Sequence, residues 1–93
     1  MIVYLAEIEC IFYDTQSLKD KRSMIKRMIA KIRRDFNVSI SEVGYYDLWQ
    51  RTKLAIVTVT NEQKYAEQIM QEVLHAIDRY TELERTTTIV ERI

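Results

Sequence analysis

The stretch VSISEVGYYDLWQRTKLAIVTVT, Val38 to Thr60, carries two β-forming runs in succession with no helical period between them. Val38 to Val43 is short and ends at Gly44, the single glycine of the chain and the residue that takes a positive φ without steric cost. Lys53 to Thr60 is the stronger run, in which Ala55, Val57 and Val59 alternate with Leu54, Ile56, Thr58 and Thr60. Tyr45 to Gln50 is the longest connection. Two strands placed side by side in mid-chain exclude a simple alternation of strand and helix, so the segments that flank them decide the fold.

A helix is expected on either side. On the N-terminal side Ser17 stands as N-cap with Asp20 three residues on, and Leu18, Ile25, Met28, Ile29, Ile32 and Phe36 share one helical face to about Phe36. On the C-terminal side Thr60 or Asn61 caps a helix that buries Tyr65, Ala66, Ile69, Val73, Ala76, Ile77 and Tyr80. Outside the helices lie two more β-forming runs. Ile2 to Tyr13 alternates Ile2, Tyr4, Ala6, Ile8, Cys10 and Phe12 with Val3, Leu5, Glu7, Glu9, Ile11 and Tyr13, and Glu84 to Ile93 is rich in Thr, Ile and Val. The order βαββαβ is that of an α+β, ferredoxin-like sandwich: a four-stranded antiparallel sheet with both helices on one face. With Ala55, Val57 and Val59 turned to the helices, the open face presents Val3, Leu5, Glu7, Glu9, Leu54, Ile56 and Thr58. A mixed apolar and acidic face of this kind suits protein association, so a homodimer through the open face or an edge strand is expected.

The 93 residues fit one domain, residues 1–93, and the absence of proline and of any Ser/Gly-rich tract leaves no linker. Cys10 is the only cysteine, which excludes an internal disulfide. Glu7 and Glu9 interrupt the first apolar run, so neither a signal peptide nor a membrane span is expected, and the reading is a cytoplasmic protein.

The chain has no net charge, yet its basic residues are unevenly spread. Lys19, Lys21, Arg22, Lys26, Arg27, Lys31, Arg33 and Arg34, more than half of the 14 Lys and Arg, fall within the first helix. At about 100° per residue, Lys19, Arg22, Lys26 and Arg33 form one flank and Arg27, Lys31 and Arg34 continue around the solvent side, relieved only by Asp20. Concentrated positive potential of this kind attracts polyanions without any net charge. Lys and Arg are also good helix formers whose stems cover apolar surface, so a purely structural use stands beside the functional one. The connection Tyr45-Tyr46-Asp47-Leu48-Trp49-Gln50-Arg51 adds two tyrosines and the only tryptophan beside an arginine, the composition of a stacking platform or an interface anchor; the alternative is that Leu48 and Trp49 fold back to seal the core.

No motif for catalysis or for a cofactor is present. His75 is the lone histidine, placed on the outer side of the second helix, and with a single cysteine no zinc site of usual ligand count can form. There is no phosphate loop and no nucleophile elbow. Glu7 and Glu9 share a strand face, a geometry open to a carboxylate pair or a divalent cation, but alternating strand carboxylates are ordinarily solvated. A non-catalytic protein is therefore expected.

Ser17-Leu18-Lys19-Asp20-Lys21-Arg22, Phe36-Asn37-Val38-Ser39, Glu42-Val43-Gly44 and Asp47-Leu48-Trp49-Gln50-Arg51, in this order and spacing, resemble the YlxP-like family of small bacterial proteins over the whole chain. The resemblance implies a ferredoxin-like fold. It also implies, by gene neighbourhood with translation and ribosome-maturation factors, a place near ribosomes, and it supplies no catalytic residues. The expected function is thus association with structured RNA or ribosomal particles through Lys19, Arg22, Lys26, Arg27, Lys31, Arg33 and Arg34, assisted by Trp49 and Arg51. The alternative is a homo-oligomeric module whose basic helix meets an acidic protein partner.

Overall fold

β1 (Ile2–Phe12) is the organising strand, because its alternation buries Tyr4, Ala6, Ile8, Cys10 and Phe12 and leaves the intervening residues half-exposed. In the computed structural model, which describes all 93 residues, it lies centrally in a four-stranded sheet of order β2-β3-β1-β4. α1 (Leu18–Asp35) follows, then β2 (Ser39–Gly44), β3 (Arg51–Thr60), α2 (Gln63–Asp78) and β4 (Leu83–Arg92). All three strand pairings are antiparallel. This is the ferredoxin-like βαββαβ sandwich that the element order implies.

The start of α1 is set locally. Asp20 N–H donates to Ser17 Oγ at 3.1 Å, and Asp20 Oδ2 accepts from Gln16 N–H at 3.3 Å, which satisfies two amides that an unfinished first turn leaves bare. Met24, Ile25, Met28 and Ile32 are the apolar residues that α1 buries, while Leu18, Ile29 and Phe36 lie at the margin. α2 starts without a side-chain cap. Its N-cap is Glu62 rather than Thr60 or Asn61, since the Thr60 hydroxyl is spent on the Glu62 carbonyl at 2.6 Å. The buried stripe of α2 is Ala66, Met70, Val73 and Ile77. Tyr65, expected inside, is 54% exposed, because one step of about 100° from Ala66 carries it off that stripe.

The phase of β3 is the reverse of the one expected. Ile8 pairs with Leu54, Ala6 with Ile56 and Tyr4 with Thr58, and residues opposite one another share a face, so Leu54, Ile56 and Thr58 turn to the helices. Leu54 and Ile56 are fully buried, each worth about 1.5–3 kcal/mol relative to exposure. Two threonines join them because both hydroxyls have partners: Thr52 donates to Glu42 Oε2 at 2.6 Å and Thr58 to the Asn37 carbonyl at 2.7 Å. The open face consequently presents Val3, Leu5, Ala55, Val57, Val59 and Ile89, crossed by Glu7 paired to Lys53 at 2.6 Å and Glu9 paired to Arg51 at 3.0 Å. Its apolar residues on β3 are smaller than the alternation suggested, and its two carboxylates are neutralised by cations rather than bare.

Gly44 also differs from its expected role. No glycine has positive φ; Tyr45 next to it takes that conformation, at 60°. Gly44 sits where β2 loses register with β3, and a Cβ there would stand 3.1 Å from Lys53 Cβ, so the glycine allows close approach of the two strands.

Candidate functional site

The seven basic residues singled out on α1 are all exposed. Lys19, Lys26, Arg27 and Lys31 make neither an ion pair nor a hydrogen bond within the chain. Arg22 approaches Asp47 only to 4.0 Å, with both side chains largely in solvent, a pairing worth little. Arg34 meets its neighbour Asp35 at 3.1 Å, and Arg33 Nη2 donates to the Ile40 carbonyl at 2.9 Å, reaching across to β2. Acidic relief thus comes from Asp35 and Asp47 as well as from Asp20, and Arg27 shares a shallow surface pocket with Asp14, Asp20 and Glu82, but none of the four cations is in direct contact with a carboxylate. Beside Lys31, a cleft of about 300 Å³ opens between the C-terminal ends of the two helices, with Ile32, Phe36, Ala76 and Tyr80 as its walls and Asp35 and Arg79 at its rim. Arg79 therefore joins the cationic surface from α2, which linear spacing does not reveal.

Lys21 belongs to the same basic run and is removed from it. It is completely buried, and its ammonium donates to the carbonyls of Tyr45 and Leu48, both at 2.6 Å, and meets Glu42 Oε2 at 3.0 Å. All three protons of the group are used. Position 21 lies about 40° from Ile25 around the helix, so the wheel itself put it on the buried arc. Through Lys21, the β2–β3 connection is tied to the first turns of α1, and the Thr15 hydroxyl adds a bond to the Trp49 carbonyl at 2.9 Å.

That connection is held by its backbone and displays its side chains. Tyr46 is 54% exposed, Leu48 46% and Trp49 38%, and none of them is in the core. Leu48 and Trp49 do not fold back to seal the sandwich, because the buried end of the loop is already occupied by the Lys21 ammonium. Arg51 is separated from the α1 band. It lies on the open sheet face, paired with Glu9 and stacked over the Tyr45 ring at 4.3 Å.

Other groups with chemical potential are engaged or buried. Burial pushes the Cys10 thiol up to about 12, against the opposing pull of Arg85, so it is not a thiolate at neutral pH. The hydrogen bond from Arg85 holds the Asp78 carboxyl below its usual range, through contacts of 2.9 and 2.8 Å. Glu67 is likewise lowered, by Gln63 first and then by the Tyr4 hydroxyl at 3.0 Å. Glu7 and Glu9 are both bound to cations across the sheet, and His75 is exposed on α2. No helix is long and apolar enough to cross a membrane.

Fold and surface together define a small α+β ferredoxin-like domain with a cationic first helix. Residues 3–90 match the family described as "Protein of unknown function (DUF503)", and the chain belongs to that family. It is 47% identical over 90 residues to the Uncharacterized protein YlxP of Bacillus subtilis (strain 168), which covers 97% of this chain and 98% of that protein. Among solved structures, the de novo designed protein LFR1 1 with ferredoxin fold superposes with a TM-score of 0.56 at 16% identity, covering 100% of this chain and 84% of the design. That likeness is one of fold alone.

Proposed function

We propose that this chain is a non-catalytic protein that associates with structured RNA or ribosomal particles through the exposed face of α1. The observation that carries the reading is the set of four unpaired cations, Lys19, Lys26, Arg27 and Lys31, on one helix of a chain with no net charge. Like charges at i,i+4 on a helix cost a few tenths of a kcal/mol per pair, and Arg27 and Lys31 have that spacing, while Asp35, the next i+4 neighbour, is engaged by Arg34 at 3.1 Å. Phosphates are the natural counter-charge. Arg22, Arg33 and Arg34 flank the four, and Trp49 lies exposed in the loop that also holds Asp47. Arg51 is left out, because Glu9 and Tyr45 already occupy its guanidinium.

Each neutralised phosphate contributes about 0.7–0.9 to the slope of log affinity against log salt, so four contacts give a slope of roughly 3 to 4. Titration of a structured RNA at several ionic strengths should give that slope for the native chain and a slope near 1 for a K26E/R27E/K31E variant. Equal affinity and equal slope for both proteins would overturn the reading. Retention of acidic proteins without any retention of RNA would instead support the acidic-partner alternative.

A further inference from the structure

We propose that β4 is the contact edge of a two-fold dimer, in which it pairs antiparallel with β4 of a second copy of this chain. This goes beyond the RNA reading and does not depend on it.

β4 has ten residues, and the seven from Thr86 to Arg92 are all exposed although they lie within a strand. Both of its faces are affected. Ile89 on the open side is 56% exposed and Val90 on the helix side 43%. The run Thr86-Thr87-Thr88-Ile89-Val90 is uncharged and strongly β-forming, the composition that natural edge strands avoid when they must remain unpaired. The opposite edge is treated differently. β2 has only six residues, loses register between Glu42 and Gly44, and has its Ile40 carbonyl capped by the Arg33 guanidinium. β4 carries a register shift of its own, at Thr86 opposite Glu9 and Cys10, but from Thr87 to Arg92 it pairs in unbroken register, so that stretch is the longer regular edge of the sheet.

The ladder specifies which groups of β4 point outward. Ile93 N–H donates to the Val3 carbonyl at 2.9 Å, and Glu91 and Ile89 continue that register opposite Leu5 and Glu7. Antiparallel pairing alternates inward and outward peptides, so Thr88, Val90 and Arg92 offer their N–H and C=O groups to solvent. A two-fold axis at Ile89 sets Thr88 of each copy against Val90 of the other, Ile89 against Ile89, and Thr87 against Glu91. No charged residue then faces another. A charged peptide would find no counter-charge along Thr86 to Val90, whereas this uncharged run is complementary to itself, which identifies the occupant as a second copy.

The geometry also keeps the cationic surface free. α1 is bound to the β2 side through Arg33 and Lys21, so joining two β4 edges doubles the four-stranded sheet with a cationic helix toward each outer end. Two phosphate-binding faces on one particle would raise avidity for a long polyanion.

Sedimentation equilibrium at micromolar concentration should return twice the chain mass of 11.2 kDa. Val90→Lys and Val90→Pro should each weaken association at least tenfold with the far-UV circular dichroism unchanged, because Val90 lies opposite Ala6 on the helix side and its peptide points out of the sheet. Val57→Lys, on the open face opposite Leu5, should stay dimeric. A monomeric native chain would sink the proposal. So would a dimer that survives at Val90→Lys and dissociates at Val57→Lys, since the open face would then be the interface. The K26E/R27E/K31E variant should keep the dimer mass, which separates a failure of this proposal from a failure of the RNA reading.

Discussion

Lys21 and Lys26 have the same chemistry and opposite fates, and five positions of helix separate them. Lys26 ends in solvent with no partner; Lys21 is sealed under the β2–β3 connection with three acceptors around its ammonium. A buried ammonium is tolerable only because Glu42 and two carbonyls replace its water. Lys21→Met fills the space but strands a half-buried carboxylate and two carbonyls. It should cost about 3–5 kcal/mol, and chemical denaturation should register it as a lower urea midpoint. The double variant Lys21→Met/Glu42→Gln should lose less than the two single losses added together, since the cycle removes the stranded charge. Additive losses would mean that the ion pair contributes nothing beyond its two members. Cys10 illustrates the same principle in a neutral group: burial leaves it a small apolar side chain rather than a nucleophile.

Among the elements, α1 is the most fully specified by its own residues. Ser17, Asp20 and the Ile25, Met28, Ile32 repeat define its start and its buried stripe. Ser17→Ala removes the acceptor of the Asp20 amide and should cost about 1 kcal/mol, read as a lower urea midpoint with no change in the native circular dichroism. α2 has no side-chain cap to lose, so Thr60→Val should not reproduce a cap-sized loss; that hydroxyl bonds a carbonyl and not an amide. The β2–β3 connection is the element whose own residues left two readings open. Its aromatic composition fits a core plug as well as a display loop, and the choice was made by Lys21, which lies more than twenty residues away in sequence.

At the scale of the molecule, α2 is pinned to the sheet by two carboxylates that ionise more readily than usual. Asp78 is held by Arg85 of β4, and Glu67 by Gln63 and by Tyr4 of β1. A carboxyl whose folded value is depressed stabilises the fold above its ordinary value, and that stability is lost as pH falls through the depressed one. The urea midpoint should therefore decline below about pH 4. Asp78→Asn should lower it at neutral pH and flatten the decline, because Asn has no charge to lose. An unchanged acid profile in that variant would remove Asp78 as a source of the dependence. Both carboxylates are exposed to solvent, so high salt should reduce the effect.

The order of the six elements, the fold class that follows from it, and the density of cations along α1 were all legible in the residues, because each depends on backbone periodicity and on neighbours within one turn or one strand. The phase of β3 was not. Both of its faces are apolar, so alternation alone gives two solutions, and the choice fell to the registry of Leu54 and Ile56 against Ile8 and Ala6 and to partners for the Thr52 and Thr58 hydroxyls. Tertiary structure likewise supplied the acceptors that hold the Lys21 ammonium in the interior, set Arg51 on the far side of the sheet, brought Arg79 toward Lys31, and left β4 uncovered. Each of these outcomes depends on a contact between segments distant in sequence, and the free energy of such a contact exists only once the chain has closed around it.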